Sequence, residues 1–345
     1  MSKPLVSILI AAYNAQEWLA ETLESAVGQS WSRKEIIVVD DGSRDRTGDI
    51  AREFASKGVK LLRQENAGLC AGVNTAYQQC QGDYIQFLDA DDLLAPDKIE
   101  RQIAALHEGD SRRLLLSSPW APFYYRTRGA RFVRNSFWED LSPVEWLLRK
   151  MSEGTHMQNA TWLVSRELTE AAGPWDTSLH YDQDGEYFAR VLLASVGTRF
   201  VSGTGIFYRD TGTNRISYIG NSDKKKDSLF RSMKLHMQYL RSLEDSDRVR
   251  KACVAYMQIW YSAFYPERKD ILAEMQVLAN QFGGQLREPS LSSKYSLVKG
   301  VFGYGAARQT QMKLAAYRIA AMRCFDKLRH KLETNLQGNR LESLH

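Results

Sequence analysis

Gly82-Asp83-Tyr84-Ile85-Gln86-Phe87-Leu88-Asp89-Ala90-Asp91-Asp92 is the stretch whose reading decides the fold. Tyr84 to Leu88 is a short aromatic, β-branched and apolar run, which suits a mostly buried strand. It ends directly in Asp89, Asp91 and Asp92. Three carboxylates so close repel one another unless a cation neutralises them. In a tight turn, oxygens of Asp89 and Asp91 can converge on one hard divalent ion, which favours oxygen ligands and keeps open positions for substrate phosphates. An isolated Asp-x-Asp reads more simply as a solvated acidic turn, so the surrounding chain has to decide.

Working outward, Leu5 to Ala12 is a continuous apolar run, the mark of a central strand covered on both faces. Residues 16–28 carry Leu19, Leu23, Ala26 and Val27 at helical spacing. Glu35 to Val39 is a second buried strand, ending in Asp40-Asp41-Gly42-Ser43, from which Ser43 or Asp45 can cap a helix running to about Lys57. Val59 to Arg63 is a third strand, and a helix through Asn74 and Tyr77 separates it from the fourth. This alternation predicts parallel βαβ units in a doubly wound sheet. In such sheets ligands lie outside the carboxyl ends of the strands. Tyr13-Asn14, Asp40-Asp41, Asn66-Gly68 and Asp89-Asp91 therefore share one rim. No Gly-x-Gly-x-x-Gly follows the first strand and no Gly-x-x-x-x-Gly-Lys is present, so the dinucleotide and P-loop versions of the fold are excluded.

Val6–Asn14, Val38–Ser43, Asn66-Ala67-Gly68 with Asn74, and Phe87–Asp92 together resemble the family 2 glycosyltransferases, in order and in spacing. The resemblance is close over about the first 100 residues and looser to about Ser217. It implies an α/β, doubly wound, mostly parallel sheet of the nucleotide-diphospho-sugar transferase type. It also implies an inverting reaction on a nucleotide sugar, UDP-linked most often, with Mn²⁺ or Mg²⁺ as cofactor. Carried over residue by residue, Ala12, Tyr13 and Asn14 resemble the segment packed on the nucleobase. Asp41 resembles the carboxylate that accepts a hydrogen bond from the base, Asp89 resembles the residue that faces ribose and sugar and is a candidate to share the metal, and Asp91 resembles the direct metal ligand. Asn66 and Gly68 are donor-binding candidates, with a plain loop-and-cap role as the alternative.

The second decisive stretch is Tyr181-Asp182-Gln183-Asp184-Gly185-Glu186-Tyr187-Phe188-Ala189-Arg190. Aligned on Arg190, Asp184 stands where the family places its general base, with Asp182 and Glu186 as competitors. Gln183 replaces a commoner Glu and Gly185 a frequent aromatic, which puts the acceptor type in doubt. The mechanism requires one carboxylate to deprotonate the acceptor hydroxyl as it attacks the anomeric carbon opposite the diphosphate. Ile206 to Ser217 reads as a strand entering a loop, where Arg209 or Arg215 is the candidate cation for the diphosphate. The rival readings are a catalytically silent sugar-nucleotide-binding scaffold and a phosphotransferase, whose Asp-x-Asp belongs after the first strand rather than the fourth.

Between these stretches, Phe123 to Phe137 reads as a hairpin over the site. Ser142-Pro143-Val144-Glu145 reads as a capped helix start, making Glu145 structural. Four cysteines without C-x-x-C spacing suggest free thiols in a reducing compartment. With no secretory leader pattern at Met1 and no apolar run of about 18 residues, the expectation is a cytoplasmic protein, or one peripheral on the inner face of a membrane. The domain expectation is a catalytic unit over 1–217, split into a nucleotide-binding half (1–100) and an acceptor half (101–217), then a helical extension over 218–345. Net charge is +5, which gives no case for nucleic acid, but residues 291–345 hold ten cations against three anions. Residues 305–336 show a long amphipathic pattern, open to packing on the domain or to attaching to an anionic membrane where lipid-linked or glycan acceptors are presented.

Overall fold

In the computed structural model, which describes residues 3–212, 218–289 and 293–342, the chain builds outward from its first strand. That strand, β1 (Val6–Ala12), is flanked by β2 (Lys34–Asp40), β3 (Val59–Arg63) and β4 (Tyr84–Phe87). A two-residue edge strand, β8 (Val164–Ser165), comes later, and the sheet order is β3-β2-β1-β4-β8. The first four strands are parallel, with Ala12 level with Asp40 and Leu9 level with Phe87, so their carboxyl ends open on one rim.

The helices lie as a doubly wound sheet requires. Ile8, Ile10 and Val38 face α1 (Leu19–Val27) and α2 (Thr47–Glu53), while Leu9, Ile37 and Val39 face α3 (Leu69–Gln78). Crossovers of this hand and length follow from parallel neighbours in one sheet. Beyond the acidic turn, β5 (Leu93–Leu94) leads to α4 (Lys98–Ala104), β6 (Leu114–Ser117), β7 (Trp120–Phe123) and α5 (Pro143–Glu153). Ser142 caps α5 by accepting from the Glu145 amide at 3.3 Å, with Pro143 at the first position, as its sequence predicts. Then come β8 (Val164–Ser165), α6 (Arg166–Ala172), α7 (Gln183–Ala194), β9 (Gly197–Phe200) and β10 (Ile206–Arg209). β5, β10 and β7 form a small second sheet, and β6 pairs with β9.

The hairpin expected over Phe123 to Phe137 does not form. β7 ends at Phe123 and pairs in parallel with β10, and the following residues run as turns. Arg126, Arg128, Arg131 and Arg134 interrupt any apolar alternation there. Phe137 instead stacks on Trp146, ring centroids 4.4 Å apart.

The carboxyl-terminal helices are α8 (Asp223–Leu243), α9 (Asp247–Phe264), α10 (Lys269–Gln281) and α11 (Ser296–Glu342), the last broken at Gly303, whose φ is 80°. Leu229, Met233, Met257, Phe264 and Met275 from α8 to α10 belong to the same buried cluster as Leu9, Val73 and Phe87 of the sheet layer. The core thus runs unbroken across residue 217. Of the described α11 residues, Ala307 is buried. No described helix is long and apolar enough to cross a membrane.

Candidate active site

The rim is assembled by four loops that lace to one another. Asn14 follows β1 with φ at 49°, a left-handed position that Asn tolerates through its short polar side chain. Its amide donates to Ser43 Oγ at 2.9 Å, and its Oδ1 accepts from the Arg44 amide at 2.9 Å. Tyr13 beside it is half-exposed, a ring offered to solvent at the mouth. Gly42, φ 75°, has no room for a side chain, because a Cβ there would lie 2.8 Å from the Asn66 amide nitrogen. The β2 and β3 loops therefore touch backbone to backbone.

Asp41 ties this half together. Its Oδ1 accepts from Gln64 Nε2 at 2.7 Å and from the Ala67 amide at 2.9 Å, and its Oδ2 accepts from the Gly68 amide at 2.8 Å. Asn66 Nδ2 donates to the Asp41 carbonyl at 3.0 Å. A carboxylate offers about four acceptor directions, so Asp41 keeps one on Oδ2 after holding its own loops. Asn66 and Gly68 reach the rim through Asp41, one by its side chain and the other by its amide.

Asp89, Asp91 and Asp92 form the opposite wall. Asp89 accepts from Asn159 Nδ2 at 3.1 Å. Burial, then the nearby Asp91 and Asp184 carboxylates, raise its pKa to about 7. Asp92 is pushed well up by burial and then by the Asp91 and Asp89 carboxylates, and its Oδ2 is buried with no hydrogen-bond partner. Carboxylates that raise one another's pKa are in want of a cation. No group of three or more acidic, His or Cys side chains among the described residues makes a closed cage. The wall fits a hard divalent ion held by one or two carboxylates with its other positions left to phosphate and water, as Mg²⁺-type sites are built.

Arg209 corrects the sequence reading. It is fully buried, with its amide donating to Asp92 Oδ1 at 2.8 Å, its Nε to the Asp91 carbonyl at 2.7 Å and its Nη2 to Glu21 Oε2 at 2.7 Å. Its guanidinium lies between Trp18 and Phe123, 4.5 and 4.4 Å from their ring centroids. It braces the acidic turn from behind, and with its donors so engaged it does not reach for a diphosphate. Arg215 lies outside the described residues.

Across the cleft, the first turn of α7 separates its three acids. Glu186 is buried and paired at two points with Arg190, at 2.8 and 2.9 Å, and also accepts from Tyr239 Oη at 2.8 Å. Asp182, in a left-handed conformation with φ 56°, accepts from Ser232 Oγ at 2.5 Å. Asp184 accepts from the backbone amides of its own turn, at Gly185 and Asp184, and engages no cation or neighbouring side chain among the described residues. Burial and then Asp182 raise its pKa, while Lys150 opposes the shift. The Asp184 carboxylate is one of the charges that raise the pKa of Asp89.

Gly185 now has a physical reason. A Cβ at 185 would lie 2.1 Å from Asp182 Oδ1, so a side chain there and this Asp182 conformation exclude each other. Asn159, Lys150 and the α8 face of Ser228, Ser232 and Tyr239 are the site residues that sequence reading missed. Only the four-residue spacing of the two serines carried a signal, and it reads equally well as a solvated helix face.

Comparison with known proteins agrees with this fold. Residues 7–156 match the family model described as Glycosyl transferase family 2. An uncharacterized glycosyltransferase of Rickettsia typhi is 31% identical over 199 residues, which cover 56% of this chain and 60% of that relative. Staphylococcus aureus TarS 1-349, solved in complex with UDP-GlcNAc, superposes with a TM-score of 0.62 at 16% identity, covering 80% of each chain. The mannosyltransferase PcManGT of Pyrobaculum calidifontis, solved in complex with GDP-Man and Mn²⁺, superposes with a TM-score of 0.54 at 19% identity, covering 95% of this chain and 89% of that one. At those identities the two structures speak for the fold.

Proposed function

We propose that this chain, whose residues 7–156 match the family model of glycosyl transferase family 2, is an inverting glycosyltransferase. It takes a sugar from a nucleoside diphosphate, a UDP-sugar foremost, to a hydroxyl of a glycan or lipid-linked acceptor. The observation that carries the reading is that two acidic groups lie close enough to act on one another: Asp89 and Asp91 at the end of β4, and Asp184 in the first turn of α7, whose carboxylate raises the pKa of Asp89.

In this mechanism the base rests between the β1 and β3 loops, where Asp41 keeps one acceptor direction for an imide N–H. Asp89 and Asp91 would hold a Mn²⁺ or Mg²⁺ ion, which would supply positive charge to offset the negative charge developing on the departing diphosphate. Asp184 accepts the proton of the acceptor hydroxyl as that oxygen forms its bond to the anomeric carbon. The bond from that carbon to the diphosphate oxygen breaks on the opposite face, and its electron pair leaves with UDP. The raised pKa of Asp184 suits this task, since a base that is too weakly basic extracts no proton.

The test is release of UDP from a panel of UDP-sugars, and of GDP from GDP-mannose, with Mn²⁺ or Mg²⁺ present. Slow metal-dependent hydrolysis of one donor, stimulated by an acceptor glycan, is expected. Absence of nucleotide binding by calorimetry would remove the reading altogether, and binding without turnover would leave a silent scaffold.

A further inference from the structure

Helix α11 lies on the protein with its polar face inward. Asp326 accepts from Arg126 Nε at 2.8 Å and from the Tyr125 amide at 2.9 Å, and Glu333 accepts from Arg126 Nη1 at 2.6 Å. Arg323, on the same face, abuts Gly212. At about 100° per residue these positions share one side of the helix. Leu314, Tyr317, Phe325, Leu328 and Leu332 fall within a sector of about 80° on the opposite side. Those five are 50% to 73% exposed, large apolar side chains with no protein over them. Lys313, Arg318, Arg329 and Lys331 are exposed along the two edges of the stripe, while Asp326 and Glu333 face the catalytic domain.

We propose that this outward stripe is a peripheral docking surface for an anionic membrane. An apolar strip edged by cations matches the boundary between acyl chains and anionic headgroups, where a helix lying flat buries its apolar face and keeps its charges in the headgroup layer. The turned-in acids strengthen the match, because they neutralise Arg126 rather than oppose the lipid. A second copy of the chain fits less well. Stripe against stripe brings two sets of edge cations together, with no acid among the described stripe-side residues to offset them. Nucleic acid would use the cations and leave the stripe uncovered.

Docking also orients the cleft. Tyr125 lies on Trp18 at 5.4 Å between ring centroids, Trp18 lies on Arg209, and Arg209 holds the Asp91 carbonyl. The helix is thereby tied to the rim that carries the chemistry.

The experiment is co-sedimentation of the full chain with vesicles of phosphatidylcholine alone or with about 30% phosphatidylglycerol, at low and high salt. Two variants accompany it: Phe325→Asp with Leu328→Asp, and Arg318→Glu with Arg329→Glu. Light scattering without lipid reports the oligomeric state, and UDP calorimetry reports the fold and the donor reading independently of the vesicles. Expected are sedimentation with anionic vesicles only, weakening at high salt, and a loss of about ten-fold in bound fraction for each variant with UDP binding unchanged. A wild-type chain that ignores anionic vesicles while binding UDP overturns the proposal. So does a stripe variant that sediments as well as wild type. A dimer that the stripe variant dissolves assigns the surface to a second copy instead, and duplex DNA binding that survives the stripe variant assigns the cations to nucleic acid.

Discussion

Asp184 differs from Asp182 and Glu186 in that only the backbone of its own turn, and no other described side chain, engages it. Glu186 is locked to Arg190 and Tyr239, and Asp182 to Ser232. Asp184→Asn should therefore cut turnover by a factor of roughly 10² to 10⁴ while donor affinity stays within a few fold. Glu186→Gln should instead lower the melting temperature, because it leaves Arg190 partly unpaired. If steady-state rates for Asp184→Asn remain near wild type, the base is elsewhere. On the other wall, Asp91→Asn should abolish the Mn²⁺ dependence of UDP binding, since a neutral amide supplies no charge to the ion. Calorimetry with and without Mn²⁺ reads this directly, and undiminished dependence removes Asp91 as ligand. The positions of these carboxylates were legible in the sequence because each closes a motif at a strand or helix end. The fate of Arg209 was not. Its partners Glu21, Trp18 and Phe123 lie far off in the chain, and an arginine before a loop reads by default as exposed.

At the scale of elements, α7 and α8 act as a pair. Ser228 Oγ accepts from the His180 and Tyr181 amides at 2.8 and 3.0 Å, and Ser232 and Tyr239 hold Asp182 and Glu186, so one α8 face fixes the turn that presents Asp184. Gly185→Ala should push Asp182 off Ser232 and displace that turn. We expect turnover to fall at least about ten-fold and stability by about 1–3 kcal/mol, a cost typical of overpacking. A variant with unchanged kcat and melting temperature would show that Asp182 moves aside freely. His236, buried on α8 with Nδ1 3.0 Å from Tyr256 Oη, gives the pair an acid sensitivity. Burial, then the charge of Lys150, lower its pKa to about 4. A folded pKa below the unfolded one means the stabilising share is complete above about pH 6.5 and is lost as pH falls toward 4, a difference of about 3 kcal/mol at most. Thermal melts of wild type and His236→Asn between pH 7.5 and about 4.5 check this. Parallel curves for the two proteins would exclude His236 as the source. The strands of the first 100 residues were legible because continuous apolar runs have one use in a parallel sheet. The α7–α8 contact was not, since serine spacing on a helix carries no record of what it faces.

For the whole molecule, the question is where the chain can be cut. By motif, the catalytic unit closes near residue 217, yet the hydrophobic core does not. Leu229, Phe230, Met233, Met257, Phe264 and Met275 are buried in the cluster that also holds Phe87 and Tyr187. Each such side chain contributes about 1.5–3 kcal/mol by burial, so six of them match a whole domain's net stability of about 5–15 kcal/mol. A chain ending at 217 also strips Trp260 from Tyr181 and the Ser232 and Tyr239 hydroxyls from Asp182 and Glu186. It should aggregate or show no cooperative melt. A chain ending at Pro289 is a different matter. It loses α11, which buries Ala307 among its described residues, and the ion pairs of Arg126, whose contribution at the surface is small. It should melt cooperatively within a few degrees of the full chain and retain UDP binding. Circular dichroism melts of the two truncations, with calorimetry of the longer, decide the matter. A soluble, cooperatively folded 1–217 would mean that α8 to α10 cover a core already complete without them.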